Sequence, residues 1–363
     1  MDSTGSIRHR SIADFARRTV VVVLVAAVIL AVVVVFWYLI EVLLLVFAGI
    51  LAAIFLRGLS EFLESHTRIR GGWALATVVL TLLAALTGLG FLLAPSLIDQ
   101  AGELVATIPE AWRQLLEQLR EIEWAGQPIL DGDPFEFMQL PADIFPRVLG
   151  VFSSIAAVIA GLFFVTFVGL YFAANSQIYI DGLLHLFPKE SRGRVCEVLS
   201  AVRYTLLWWL MGQGVVMAFV GISTAIGLAL LNIPLALTLG ILAGLLDFVP
   251  YIGPIVASIP AILVALMQSP RDALSVLILY VVVQQVESYL VAPMVHRKTV
   301  LLQPALTIFA QVSLGVLLGA IGVVLATPLT AALLVIVKMT YVHDTLGDDI
   351  EVPGVEETGL VCH

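Results

Sequence analysis

Asp247-Phe248-Val249-Pro250-Tyr251-Ile252-Gly253-Pro254 sits in the middle of an otherwise apolar run, residues 235–267. As one straight helix such a run is about 50 Å long at ~1.5 Å per residue, against a hydrocarbon layer of about 30 Å. Proline removes a backbone donor and clashes with the preceding turn, and glycine opens dihedrals closed to other residues. The same construction returns at residues 304–337, where Gly315, Gly319 and Gly322 are followed by Ala326-Thr327-Pro328. Non-helical backbone at membrane depth persists only where protein or a wet cavity surrounds it. Each run therefore reads as a re-entrant helical hairpin, the alternative being a kinked span.

The whole chain supports a membrane setting. Of 363 residues, 60% are hydrophobic and 12% charged, and the mean hydropathy is +1.06. A soluble domain is about half apolar and a quarter charged. That excess excludes disorder, a collagen-like rod and a disulfide scaffold. With 18 Lys and Arg against 27 Asp and Glu, the net charge of −9 excludes a nucleic-acid partner, which needs a basic surface. The two cysteines, Cys196 and Cys362, make at most one bridge, have no metal-type spacing, and read as incidental thiols.

The expected fold class is all-α, a polytopic integral membrane protein with about six full transmembrane helices plus two re-entrant hairpins in an inverted repeat. Residues 19–56 are apolar except for Glu41 and have the length of two spans joined near 38–41, where Glu41 caps the turn. They are too long for a secretory signal. Further spans are expected at 73–95, 148–174, 205–231 and 273–293. Arginines in the segment 1–18 and the loop 57–72 place both in the cytoplasm by the positive-inside rule. The loop 96–147 is acidic and falls outside. Basic residues in 177–203 and at His296, Arg297 and Lys298 return inside. This alternation closes only if 235–267 and 304–337 each return to the face they entered from, and it leaves both termini cytoplasmic.

The organisation that follows is a scaffold region at 19–174, a cytoplasmic linker helix at 175–204, a transport core at 205–340 and an acidic unstructured tail at 341–363. Within the scaffold, residues 97–122 carry apolar side chains at helical spacing and read as amphipathic segments on the outer surface, or as a partner-binding cap. A span followed by a hairpin occurs twice in the core, in opposite orientations, which is the plan of secondary transporters.

Chemistry-bearing residues are few. None of the three lysines, Lys189, Lys298 and Lys338, stands in a phosphate loop. No nucleotide partner, cofactor, metal site or enzyme activity is expected. Acids within the apolar core are Asp247 and Glu287, and a carboxylate at the bilayer centre costs about 2.5–3.5 kcal/mol on insertion scales. Gln284, Glu287 and Ser288 share one helix face, with Gln285 and Tyr289 adjacent. They form either interhelical hydrogen-bonding glue or a cation or proton site completed by Asp247 and tip carbonyls. Gln311 and Thr327, with Gln303, Thr307, Ser313 and Thr330, are hydrogen-bonding candidates for a small polar solute, although threonine in membrane helices commonly bonds its own backbone. Gly315, Gly319, Gly322 and Pro328 belong to hairpin packing, or to a smooth face along which a hairpin slides.

These residues carry a resemblance. Pro250-Tyr251-Ile252-Gly253-Pro254 resembles the Pro-Tyr-x-Gly-Pro signature of the autoinducer-2 exporter family of bacterial membrane permeases. Gln284-Gln285-Val286-Glu287 followed by Ala292-Pro293 is similar to its Gln-x-x-Glu…Pro pattern. Gln303-Pro304, residues 314–322 and Thr327-Pro328 resemble its C-terminal block. The resemblance implies an inner-membrane permease that exports the furanone autoinducer-2, or else a sodium or lithium/proton antiporter. A non-transporting scaffold or sensor is the reading from another class. It implies a homo-oligomer, with a pentamer as the candidate stoichiometry, in contact with membrane lipid. It also places Pro250, Tyr251, Gly253 and Pro254 at the first hairpin tip, with Glu287 near them.

Overall fold

The structure, a computed structural model, describes residues 5–69, 71–85, 87–88, 155–295 and 303–348. The expected amphipathic segments at 97–122, the basic cluster at 296–298 and most of the acidic tail lie outside the described residues. Every described element is helical. They are α1 (Gly5–His66), α2 (Gly72–Ala85), α3 (Ile155–Ala174), α4 (Ser176–His185), α5 (Arg192–Leu230), α6 (Ala236–Leu246), α7 (Ile252–Gln268), α8 (Pro270–Val286), α9 (Ala292–Val295) and α10 (Pro304–Val337). Two compact units are present, Met1–Phe47 and Ala48–His363.

In the first unit the expected turn at 38–41 is not found. The backbone is helical throughout, and Glu41 is exposed on a helix rather than capping a turn. The reason is local. Residues 19–47 contain no glycine or proline, so nothing interrupts the hydrogen-bond ladder, and an apolar setting rewards keeping it closed. Residues 19–56 are thus one helix where two spans were expected. Four described helices are long and apolar enough to cross a membrane, or five if the bent pair α3–α4 counts as one crossing.

In the second unit, α1 and α3 pack through small residues. A Cβ at Gly169 would meet the Ala52 Cβ at 2.8 Å, and one at Gly49 would meet the Val168 side chain at 2.5 Å. The single linker helix expected at 175–204 is two helices, α4 and the charged start of α5, and the latter runs without a break into its apolar part. α5 and α6 approach almost backbone to backbone, since a Cβ at Gly244 would lie 2.7 Å from the Met217 carbonyl oxygen. With little hydrophobic drive between helices in lipid, such close van der Waals contact supplies the association. The main apolar core joins α5, α6, α7 and α8 around Leu228, Leu239, Ala257, Ala261 and Val276.

Both interrupted runs fold back on themselves. Gln268, at the end of α7, donates its Nε2 to the carbonyl of Asn232, just before α6, at 3.4 Å. Thirty-six residues separate the two, a distance of about 50 Å in a straight helix. In α10 the break is Gly319, with φ 67° and ψ −151°, a region that is essentially glycine-only. Gln311 Nε2 then reaches Thr327 Oγ1 across the fold at 3.3 Å. Pro328, expected to contribute to the break, lies inside the returning leg and is buried. Gly315 and Gly322 face the opposite leg at distances that leave no room for a Cβ.

The end of the core is clasped to its beginning. Arg194 donates from Nε and one terminal nitrogen to the two oxygens of Asp344 at 3.0 and 2.9 Å. It also donates to Glu197 at 2.7 Å and to the Met339 carbonyl at 3.2 Å. Beneath it, Val198, Ala201, Val335 and Met339 form a small apolar cluster. Cys196, expected to be an incidental thiol, is disulfide-bonded. It lies two residues from Arg194, which holds Asp344 against α5.

Hydrogen bonds from Arg194, with His343 beside it, hold the Asp344 carboxyl below its ordinary value. A carboxylate whose folded pKa is depressed contributes stability above its unfolded value and loses it as pH falls through the folded one. Asp344→Asn is therefore expected to melt below the wild type at pH 7. The difference starts to shrink as pH falls below about 4, the ordinary aspartate range, and is gone once pH has passed the lower folded value, in thermal unfolding of the detergent-solubilised protein.

Candidate functional site

The tip of the first hairpin gathers buried polar groups from several elements. Asp247 ends α6 and is buried, 3% exposed. Pro250 precedes a tight turn in which the Ile252 N–H donates to the Pro250 carbonyl at 2.8 Å. Tyr251 takes φ 68°, ψ −54°, an uncommon backbone conformation for a residue with a Cβ. Gly253 is required by space, because a Cβ there would fall 1.9 Å from the Leu246 carbonyl oxygen. Pro254 stands in the first turn of α7, where its missing N–H has no intrahelical partner to lose.

Three polar side chains from other elements converge on this tip. Gln213, mid-way along α5 and 4% exposed, donates Nε2 to the Asp247 carbonyl at 2.6 Å. Gln311, in the outgoing leg of the second hairpin and fully buried, donates Nε2 to the Pro250 carbonyl at 3.0 Å and to Thr327 Oγ1. A carbonyl accepts and cannot donate, so the orientation of the Gln311 amide is fixed and its Oε1 points elsewhere. Two buried acceptors at this locus, Asp247 Oδ2 and Gln311 Oε1, have no hydrogen-bond partner.

The third contribution comes from the end of α8. Glu287 opens a π-helical turn, Glu287–Val291, in which the Ala292 N–H reaches back to the Glu287 carbonyl. Such turns insert an extra residue into a helix and recur at functional sites. Glu287 Oε2 accepts from Gln284 Nε2 and, at 3.0 Å, from Ser288 Oγ, so the face expected from spacing does assemble. Gln285 and Tyr289 are exposed and stand apart from it. The Asp247 carboxyl and the Tyr251 hydroxyl lie within electrostatic reach of Glu287. From α5 through the described part of α8, the basic side chains after residue 203 reduce to Arg271, at the start of α8. The two core carboxyls thus have no cationic side chain among their described hydrogen-bond partners.

The remaining expectations divide. Thr307 and Thr330 bond backbone carbonyls four residues earlier, at 3.3 and 2.7 Å, as threonines in membrane helices commonly do. Gln213 was missed by sequence reasoning. Its signal was available, since it is the one amide or acid in residues 205–223. Tyr280, whose hydroxyl donates to the Ala257 carbonyl at 3.3 Å, gave no sequence signal distinct from a core aromatic.

A family model described as AI-2E family transporter matches residues 24–341. YueF of Bacillus subtilis, whose name proposes a role in transport, is 29% identical over 196 residues, covering 54% of this chain and 53% of that protein. YrrI of the same organism, named in the same way, is 27% identical over 179 residues, 49% of this chain and 50% of its own length. A Synechocystis protein with a similar name is 25% identical over 304 residues, 80% of this chain and 83% of that protein. The chain thus spans about half the length of the two Bacillus relatives and most of the cyanobacterial one.

Proposed function

The chain belongs to the AI-2E transporter family, and from that premise we propose that it exports a small, polar, hydroxyl-bearing solute of the autoinducer-2 type. The membrane proposed is the bacterial cytoplasmic one, and the route is the locus where the two hairpins touch. The observation that carries this reading is the bond from Gln311 to the Pro250 carbonyl. It joins the two folded-back segments at one point, beside two buried acceptors with nothing to accept from. An unpaired buried acceptor costs about 1–3 kcal/mol, so a ligand bearing hydroxyl donors is stabilised there. Discontinuous helices meeting at one depth are the construction secondary transporters use for their substrate sites.

In this reading α5 with hairpin 236–268 and α8 with hairpin 304–337 form the moving core, and α1 to α3 belong to the scaffold and to contacts between copies in a homo-oligomer. Glu287, held by Gln284 and Ser288, is the group that exchanges a proton or cation during the cycle. The driving force is a gradient across the membrane.

The test is reconstitution into vesicles that carry an internal pH dye and are loaded with the furanone precursor of autoinducer-2. Saturable furanone efflux is the expected result. Sodium-driven proton movement with no furanone efflux would replace the exporter reading by a cation/proton antiporter. Glu287→Gln is expected to slow efflux at least tenfold, about 1.4 kcal/mol in the rate-limiting barrier, and to flatten its pH dependence. A wild-type rate and pH profile would remove Glu287 from the cycle.

A further inference from the structure

The link between α3 and α5 has an arrangement that neither a span nor a soluble connector requires. α3 is apolar throughout its 20 residues, about 30 Å of helix, which matches the hydrocarbon thickness. At Asn175 the chain turns by 81° into α4. A helix at that angle to a membrane-crossing one runs close to the plane of the membrane.

The side chains of α4 sort into three stripes at helical spacing. Ile180 and Leu184 turn inward, Leu184 being buried. Gln177, Asp181 and His185 form a polar stripe, with the His185 Nδ1 2.6 Å from the Asp181 carbonyl. Ile178, Leu183 and Leu186 form an apolar stripe that none of the described residues covers, with Ile178 68% and Leu186 79% exposed. A ten-residue helix with a water-facing polar edge does not fit a broken span, whose lipid-facing side has no place for Asp181 and His185.

The neighbouring helix indicates what covers the apolar stripe. The exposed aromatic rings of α3 form a ladder that continues onto α4. Phe163 and Phe167 have centroids 6.3 Å apart, Phe167 and Tyr171 6.4 Å, and Tyr171 and Tyr179 6.4 Å. The apolar stripe of α4 is therefore continuous with the exposed aromatic face of a helix long and apolar enough to cross a bilayer. Tyrosines take over from phenylalanines at the bend, where an interfacial aromatic belt is expected. Lys189 and Arg192 follow at once, in position for anionic headgroups.

We propose that α4 is an in-plane interfacial helix whose uncovered apolar stripe is seated in the lipid headgroup–acyl boundary. It makes the elbow between α3 and α5 a membrane-anchored joint. Interfacial helices of this kind bury their apolar face about 5–10 Å into that boundary.

A nitroxide scan of residues 177–186 tests this in the full chain reconstituted in vesicles, with Cys196 and Cys362 replaced by serine. Each labelled protein is first checked for an unchanged melting temperature. At 178, 183 and 186 the label is expected to be several-fold more accessible to oxygen than to a water-soluble nickel chelate, and the ratio reverses at 177, 181 and 185. Uniform access to the chelate would overturn the proposal, since α4 then lies in water. Low access to both reagents at 178, 183 and 186 would also overturn it, since the stripe is then covered by protein, a second copy included.

Discussion

Gly319→Ala is expected to abolish transport and to lower the melting temperature, although the new methyl group meets no atom. Nothing lies within 4 Å of an ideal Cβ at this position, so packing is not the cause. The cause is the backbone. At φ 67° and ψ −151° every L-residue with a Cβ is strained, by about 1–3 kcal/mol. The second hairpin can relieve that strain only by opening its turn. Opening it separates Gln311 from Thr327, and with them the contact between the hairpins. A β-branched replacement, Gly319→Val, should be worse. Gly315→Ala is the control, because there the obstacle is one methyl of Val323 at 2.7 Å, a side chain able to move. Thermal unfolding of the purified protein and solute efflux from vesicles measure both effects. A Gly319→Ala protein with wild-type melting and efflux would mean that the segment does not turn at this residue.

Gln311→Leu is the second large effect expected, and it separates function from folding. Leucine occupies similar volume, but it strips the Pro250 carbonyl of its side-chain donor and removes a buried acceptor, Oε1. The carbonyl keeps the Ile252 N–H, so the loss is the net worth of one hydrogen bond, about 0.5–1.5 kcal/mol, and the tip of the first hairpin is no longer held to the second. Efflux should fall by an order of magnitude or more, while melting falls by only a few degrees. Thr327→Val removes the longer contact, 3.3 Å against 3.0 Å, and should cost efflux little. Equal losses in the two variants would place the effect in general packing rather than in the Gln311–Pro250 link.

Much of this was legible in the sequence because the informative residues are those a membrane helix tolerates least. Proline and glycine at 250–254 and glycines at 315–322 predicted two folded-back segments, and the Asn232–Gln268 and Gln311–Thr327 contacts have the geometry of those folds. The polar face of Gln284, Glu287 and Ser288 followed from spacing alone. Absence of a breaker proved as informative as its presence. Residues 19–56 were divided on length, yet without glycine or proline between 19 and 47 the helix had no reason to turn.

Other features were not written in local pattern. Which of the three glycines bends α10 depends on how its legs pack, because Gly315 and Gly322 are used for close approach and only Gly319 for its dihedrals. The π-helical turn at Glu287 reflects a register choice that periodicity does not encode. Gln213 was visible, and its partner was not, since 34 residues separate it from Asp247.

The closure of the first hairpin by Gln268 and Asn232 constrains how the protein is made. Its legs, α6 with 11 residues and α7 with 17, are about 16 and 25 Å long. Neither is an ordinary stop-transfer sequence when it leaves the ribosome. A re-entrant pair of this kind enters the bilayer together and from one side, after both legs have been synthesised. On that reading insertion of this segment comes late in biogenesis, and a nascent chain truncated before Gln268 is expected to leave it stranded at the membrane surface.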